Sequence, residues 1–146
     1  MQNNIMPLPP CRDVMTRNLK CVPEYEQLST VVKLFEENGF HHAPVLNKDG
    51  HLSGIISLTD IDKMRMRASI FKNETQEEYN EALFESLFAK AVMTRNVVQL
   101  HPSDSIEHAH RIFKENKFRA IPIVEGDQLV GLITPLDLLD YFFNQN

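Results

Sequence analysis

Apolar residues recur at helical spacing in two separate parts of the chain. They stand three or four positions apart, which places them on one face of a helix. The first set is Leu28, Val31, Val32 and Phe35, and the second is Ile106, Ala109, Ile112 and Phe113. Asp104 followed by Glu107 is typical of a capping box at the start of the second helix. The pattern therefore predicts two amphipathic helices.

Short apolar runs around turn residues predict two β-hairpins. The first hairpin has strands at 43–46 and 52–56, joined by a turn that contains Asp-Gly. The second has strands at 121–124 and 129–133, joined by Glu-Gly-Asp. A brief strand is also predicted before the proline that precedes each helix. These two strands cover 19–22 and 97–100.

A final helix is predicted after each hairpin. It begins after Ser57 in the first part of the chain and after Thr134 in the second. Its inward-facing residues are expected to be Ile61, Leu138 and Leu139. The predicted order is strand, helix, strand, strand, helix, and the chain uses it twice.

The sequence itself repeats in the same way. Val-Met-Thr-Arg-Asn at 14–18 returns unchanged at 92–96, and other residues recur at the same separation of 78 positions. Those residues are Phe35, Asn38, Phe40 and Pro44, matched by Phe113, Asn116, Phe118 and Pro122. A fixed internal period indicates one supersecondary unit used twice. Since each predicted sheet has helices on one side only, we expect the two units to pack on each other and form two related clefts.

The repeat divides the chain into four parts. We predict an N-terminal arm at 1–10, a first repeat at 11–64, a linker at 65–88 and a second repeat at 89–146. Residues 74–87 of the linker carry apolar residues at helical spacing, namely Tyr79, Ala82, Leu83 and Leu87. This linker helix is either a connector packed on the module or a helix that docks a second copy or a partner.

Composition narrows the functional class. A net charge of −5 argues against a general nucleic-acid surface, which needs an excess of basic residues. No apolar run approaches the ~18 residues needed to cross a bilayer, and the N-terminus has no secretory pattern. Two cysteines, Cys11 and Cys21, are more typical of free thiols than of a disulfide framework. We expect a soluble, cytoplasmic protein of mixed α/β class.

The clearest chemical motif follows each hairpin. Gly54 begins a run of glycine, two apolar residues, a hydroxyl residue and, three positions later, an aspartate. This motif places Ser57 before Asp60, and its second copy places Thr134 before Asp137. Such a pair is typical of a helix cap, with the hydroxyl and the carboxylate bonding to backbone N–H groups. The same helix N-terminus suits a phosphate, and the aspartate suits the hydroxyls of a ribose. The sequence leaves both interpretations open.

A second set of polar residues precedes the middle strand of each repeat. His41 and His42 in the first copy align with Arg119 and Ala120 in the second. A guanidinium can hold a phosphate through two parallel hydrogen bonds, and a histidine can do so when protonated. The alternatives are a solvated histidine pair or, with His51, a metal site.

Motifs for catalysis are missing from the sequence. It contains no Gly-x-Ser-x-Gly elbow, no phosphate-binding loop with a lysine and no His-Glu-x-x-His pair. We therefore expect no enzymatic activity, no metal and no required cofactor.

The duplicated, ordered set of motifs resembles the tandem cystathionine-β-synthase (CBS) domain pair, also called a Bateman module. The resemblance covers about residues 11–64 and 89–143. It implies an α+β (mixed α/β) fold of two βαββα units related by pseudo-twofold symmetry. It also implies a disk-like homodimer. As a free-standing module of this kind, the chain is expected to act on an unidentified regulated protein, to serve as a buffer or to report through its dimer.

Members of this family mostly sense energy or metabolites by binding AMP, ADP, ATP or S-adenosylmethionine between the two units. Carried over to this chain, the resemblance assigns phosphate or ribose contacts to Ser57 and Thr134, and ribose hydroxyls to Asp60 and Asp137. It assigns contacts with the phosphates to His41, His42 and Arg119. It places the base against the backbone of two segments, Lys20, Cys21 and Val22 in the first repeat and Val98 to Leu100 in the second. Because the histidine pair aligns with Arg119-Ala120, the two clefts are expected to differ in charge and in affinity for the ligand. The alternative is a ligand-free structural module of the same fold.

Overall fold

The computed structural model describes residues 7–69 and 76–144 of the chain. Its helices are α1 (Leu28–Asn38), α2 (Leu58–Ser69), α3 (Gln76–Ser86), α4 (Ala89–Val92), α5 (Ile106–Lys114) and α6 (Pro135–Phe143). Its strands are β1 (Val22–Pro23), β2 (His42–Leu46), β3 (Leu52–Ser57), β4 (Ile121–Glu125) and β5 (Gln128–Ile133). A short 3₁₀ helix at Cys11–Asp13 precedes them. The mixed α/β class predicted from the sequence is confirmed.

These elements form two compact units. One is continuous in sequence and covers 20–96, whereas the other combines 7–19 with residues from 97 onwards. Each unit has its own buried apolar cluster.

The unit at 20–96 contains a three-stranded sheet. Strand β1 runs parallel to β2, and β2 pairs antiparallel with β3, so that His42 lies opposite Ser57. The buried face of α1 packs on this sheet through the predicted residues Leu28, Val31 and Phe35, together with the half-buried Val32. Each fully buried side chain of this kind contributes about 1.5–3 kcal/mol.

Helix α3 packs against α1 and α2 of the same unit. Phe84 is buried in the apolar cluster, Leu83 and Leu87 pack against it, and the backbone N–H of Leu28 donates to the carbonyl of Leu87 at 2.8 Å. Ala82 is exposed, contrary to the prediction, because Phe84 faces the core instead. The predicted contact of Tyr79 lies outside the described side chains. These contacts are those of a connector packed on its own unit.

The other unit contains the β4–β5 hairpin, with α5 and α6 packed on it. Its cluster includes Ile106, Ala109, Ile121 and Ile133 and the thiol of Cys11. Burial and the negative charge of Asp104 raise the pKa of Cys11 to about 11, so this cysteine stays protonated. Both cysteines are free thiols, as expected from the sequence.

The two copies of Val-Met-Thr pack on the hairpins of the opposite repeats. Thr16 pairs with Leu132 of β5, and Thr94 pairs with Ile55 of β3. A glycine permits each approach. A Cβ at Gly131 would lie 2.7 Å from Cγ of Met15, and one at Gly54 would lie 2.6 Å from the carbonyl oxygen of Thr94. The compact units therefore combine segments from both repeats, which a period in the sequence alone does not reveal.

Several local predictions were wrong. The strand predicted at 97–100 is reduced to a single parallel bridge between Leu100 and Ile123, and β1 is only two residues long. Helix α5 is capped by Ser105, whose hydroxyl accepts from the N–H of Glu107, whereas Asp104 accepts from the N–H of His101. Leu139 is 54 % exposed because it borders a space between α5 and α6 that is open to solvent, while Leu138 is buried.

Candidate functional site

The junction of β3 and α2 holds the first hydroxyl–aspartate pair. The N–H of Ser57 donates to Oδ2 of Asp60 at 3.2 Å, and the N–H of Asp60 donates to Oγ of Ser57 at 3.1 Å. This reciprocal arrangement is a capping box, which satisfies two N–H groups at the start of α2. Oδ1 of Asp60 accepts no hydrogen bond from any residue that the structure describes.

The histidine pair lies at the same end of the sheet. The N–H of Leu58 donates to the carbonyl oxygen of His41 at 2.9 Å, and His42 faces Ser57 across the β2–β3 ladder. His42 is half-buried, and this burial, together with the neighbouring His41, lowers its pKa, while Asp60 acts in the opposite direction. The imidazole of His42 is therefore mostly neutral at pH 7, and His41 is exposed.

Asp60 also lines a cavity of about 250 Å³. Lys63 supplies a positive charge at its wall. The remaining lining is mostly apolar and comes from α2, α4 and the end of the linker, namely Met64, Leu87, Ala91 and Val92. A carboxylate, an ammonium group and an apolar wall thus border one space.

The second hydroxyl–aspartate pair caps α6. The N–H of Thr134 donates to Oδ2 of Asp137 at 2.9 Å, the hydroxyl of Thr134 lies 3.3 Å from the same oxygen, and a full capping box is present. Oδ1 of Asp137 accepts a further hydrogen bond of 3.0 Å from the hydroxyl of Thr16. Both oxygens of this carboxylate are therefore in use.

Thr16 was not among the residues predicted from the sequence. It stands 121 positions from Asp137, and only the duplicated Val-Met-Thr segment marks it in the sequence. A repeat identifies equivalent positions but does not state which distant residue each one meets.

The remaining predicted site residues lie in different surroundings. Arg119 is exposed just before β4, at the end of the hairpin that leads to Thr134. Lys20 and Val98 are exposed, and Cys21 is half-buried, which raises the pKa of its thiol. The side chain of Val22 is buried in the apolar cluster of its unit, and the half-buried side chain of Leu100 packs against the cluster of the other unit.

A larger cavity of about 350 Å³ lies between α5 and α6. Its walls are mostly apolar and include Phe113, Leu139 and Phe142, with Leu8 at one side. It does not include either predicted aspartate.

Residues 7–69 and 76–144 contain neither a candidate metal site nor a candidate membrane-spanning helix. This part of the chain has no group of three histidine, cysteine or acidic side chains that could hold an ion. None of its helices has the length and apolar character required to span a bilayer.

Comparison with known proteins decides the family. The sequence model of the CBS domain matches the chain twice, at residues 11–66 and 89–144. The chain belongs to the CBS domain family. The resemblance predicted from the sequence is thereby confirmed. Proteins of similar solved structure, CBSX2 and MJ0100 among them, are CBS pairs as well.

Relatives of this CBS pair include proteins of similar and of much greater length. An uncharacterised protein, MJ1426 of Methanocaldococcus jannaschii, is 30 % identical, and the match covers 88 % of both chains. A homoserine O-acetyltransferase of Methanosarcina acetivorans is 28 % identical, but the chain spans only about 20 % of that enzyme. CBS pairs therefore occur both alone and joined to larger proteins.

Two solved structures share the fold of this CBS pair and carry adenosine-containing ligands. CBSX2 in complex with AMP has a TM-score of 0.74 at 21 % identity and covers 92 % of this chain and 96 % of its own. The CBS pair of MJ0100, in complex with 5′-methylthioadenosine and S-adenosyl-L-methionine, has a TM-score of 0.71 at 22 % identity. That match covers 96 % of this chain and all of the MJ0100 chain.

Proposed function

We propose that this CBS pair is a non-catalytic regulatory module that binds an adenine nucleotide or a related adenosyl ligand. The candidates are AMP, ADP, ATP and S-adenosylmethionine. The ligand would shift the arrangement of the module and so act on a regulated partner or through a dimer. The size of this shift is limited by the difference between the ligand's affinities for the two arrangements of the module, the one favoured without ligand and the one favoured with it.

The single observation that carries this proposal is the geometry at Asp60. Its carboxylate is fixed at the start of α2 by the N–H of Ser57, while Oδ1 remains open beside a cavity of about 250 Å³. A ribose diol offers two O–H donors, and an ionised carboxylate is an acceptor with two oxygens. The adenosyl ligands held by CBSX2 and MJ0100 carry a ribose of this kind, which supports the same ligand class here.

The neighbouring basic side chains suit a phosphate. His42 faces Ser57 and its imidazole can take up a proton, and Lys63 places an ammonium group at the wall of the cavity. Arg119, in the other unit, is exposed and can offer a planar guanidinium. We propose that Lys63 and Arg119, together with His42 in its protonated form, contact phosphates, with Ser57 and Thr134 as hydroxyl partners.

Calorimetric titration of the full chain with AMP, ADP, ATP and S-adenosylmethionine tests this function. We expect at least one of them to bind with a dissociation constant below about 1 mM. Asp60→Asn should weaken that binding by about 10-fold or more, since a hydrogen bond to a charged group is worth about 1.5–3 kcal/mol. The matched control is Asp140→Asn, which makes the same change of charge at an exposed position on α6.

Two results would count against the proposal. If none of the four ligands binds, the two hydroxyl–aspartate pairs are not adenosyl sites, and the structural module of the same fold is the better account. If binding is unchanged in Asp60→Asn while the protein unfolds normally, the ligand lies elsewhere.

We propose further that two copies associate into a homodimer through α6. Leu139, Phe142 and Phe143 on this helix are 54 %, 56 % and 77 % exposed. The apolar cavity between α5 and α6 adjoins the first two of them. Contiguous apolar surface of this kind marks interaction sites.

A further inference from the structure

The two aspartates of the repeated motif differ in how many donors already hold them. Asp137 accepts at Oδ2 from the N–H and the hydroxyl of Thr134, and at Oδ1 from Thr16. Asp60 accepts from the N–H of Ser57 at Oδ2, and its Oδ1 has no donor among residues 7–69 and 76–144. The two copies of the motif match in sequence, but in the folded chain the carboxylate of Asp60 can accept more additional hydrogen bonds than that of Asp137.

Backbone position does not explain this difference. Thr16 pairs with Leu132 of β5, and its repeat equivalent Thr94 pairs with Ile55 of β3, each through two backbone hydrogen bonds of 2.8–3.0 Å. Within the described residues, only the first of these threonines donates its side-chain hydroxyl to the aspartate of its own unit. The backbone pairing is therefore equivalent in the two units, and they differ in the side-chain hydrogen bond of Thr16.

We propose that Thr16 is an internal competitor for the ribose hydroxyls and makes the site at Asp137 the weaker of the two. An ionised carboxylate accepts about four hydrogen bonds, and Asp137 already accepts two at Oδ2 and one, from Thr16, at Oδ1. A diol that donates two O–H groups to Asp137 must therefore displace one of these donors. In this proposal the displaced donor is the hydroxyl of Thr16, so one hydrogen bond is lost for one that forms. At Asp60 the open Oδ1 requires no such exchange. The module then binds its first ligand at Asp60, and the site at Asp137 fills at higher concentration. This inference rests on the proposed function.

The competition also gives Thr16 a regulatory meaning. A ligand at Asp137 frees the hydroxyl at the start of the Val-Met-Thr segment, which otherwise joins residues 7–19 to α6 through this side chain. Filling of the second site is thereby coupled to the contacts of the N-terminal segment, whereas filling of the first is not.

The test isolates the Asp137 site in an Asp60→Asn background. The probe is whichever of AMP, ADP, ATP and S-adenosylmethionine binds the wild-type chain most tightly. Thr16→Val removes the hydroxyl and keeps the side-chain volume, so we expect affinity in this background to rise by about 10-fold. Thr16→Ser keeps the hydroxyl and should retain the weaker affinity. The matched control, Thr94→Val with Asp137→Asn, should leave affinity at Asp60 unchanged.

The outcomes separate this inference from the function on which it rests. If none of the four ligands binds the wild-type chain or Thr16→Val, the proposed function fails and the competition fails with it. If the wild-type chain binds but Thr16→Val leaves the affinity unchanged or lowers it, the function stands and Thr16 is not a competitor. Thermal unfolding of each variant without ligand checks its fold, and Thr16→Ala replaces Thr16→Val if the latter does not fold.

Discussion

His42 combines three features in one side chain: it lies opposite Ser57, it is half-buried, and Asp60 is within electrostatic reach. Burial is the largest of the effects on its pKa, and it favours the neutral imidazole. The protonated form therefore costs more in the folded chain than in the unfolded one.

This gives a pH dependence of stability. Since the folded pKa of His42 is below the ordinary value of 6.5, the unfolded chain binds more protons. The contribution of His42 to the free energy of unfolding is present above pH 6.5 and is lost as the pH falls through the folded pKa. Urea unfolding between pH 8 and pH 5 should show a smaller loss of stability in His42→Gln than in the wild-type chain.

His108→Gln is the matched control for this experiment. His108 is exposed on α5, so its replacement should preserve the wild-type pH dependence. Equal pH dependence in His42→Gln and the wild-type chain would contradict the role assigned to burial.

For individual residues, the sequence predicted the two hydroxyl–aspartate pairs that are close along the chain, but it did not predict the contact between Thr16 and Asp137. Ser57 and Asp60 are three positions apart, and a capping box is a local pattern that can be recognised without a structure. Thr16 meets Asp137 only because β5 carries Leu132 beside the N-terminal segment. The roles of these residues in ligand binding stay predictions.

Helices and hairpins were predicted well because their signals extend over many residues. The face of α1, the Asp-Gly turn and the start of α6 each rest on several agreeing positions. The strand at 97–100 was wrong because a run of four residues carries too weak a signal, and Leu100 forms a single bridge.

The two glycines of the repeated motif have different neighbours, and this gives a prediction at the same scale. A Cβ at Gly131 would meet the side chain of Met15, whereas a Cβ at Gly54 would meet the backbone carbonyl of Thr94. Overpacking costs typically 1–3 kcal/mol, so Gly131→Ala and Gly54→Ala should each lower the free energy of unfolding by about that amount.

A second substitution should relieve only one of these clashes. Met15→Ala should recover part of the stability lost in Gly131→Ala, because the obstructing atoms belong to a flexible side chain. Met93→Ala should not rescue Gly54→Ala to the same extent, since the carbonyl of Thr94 remains. Double-mutant cycles from urea unfolding measure both coupling energies, and equal values would show that the backbone contact is not limiting.

For the whole molecule, the internal repeat predicted two related units and the family. It did not predict that residues 7–19 join the unit from 97 onwards, because the two copies of Val-Met-Thr are identical and the sequence gives no reason for one pairing over the other. The proposed dimer likewise depends on the exposure of α6, which the prediction of an inward Leu139 did not anticipate.

The dimer is tested by light scattering coupled to size-exclusion chromatography. We expect the wild-type chain to elute with twice the mass of 16.9 kDa, and Phe142→Glu to elute as a monomer because it places a charge on the apolar surface of α6. Tyr25→Glu, at a side chain that is 65 % exposed in the other unit, is the control and should stay dimeric. A wild-type monomer at high concentration would rule the dimer out.

The exchange of Val-Met-Thr segments between the repeats determines which fragments of the chain keep their strand pairings. A cut that follows the repeat, giving 11–66, removes the strand partner of Ile55 and leaves Met15 with no Gly131 beneath it. A cut at 20–96 retains the whole set of strand pairings around β2 and β3. The repeat in the sequence is thus not the compact unit of the fold, because the hairpin of each repeat pairs with the opening segment of the other.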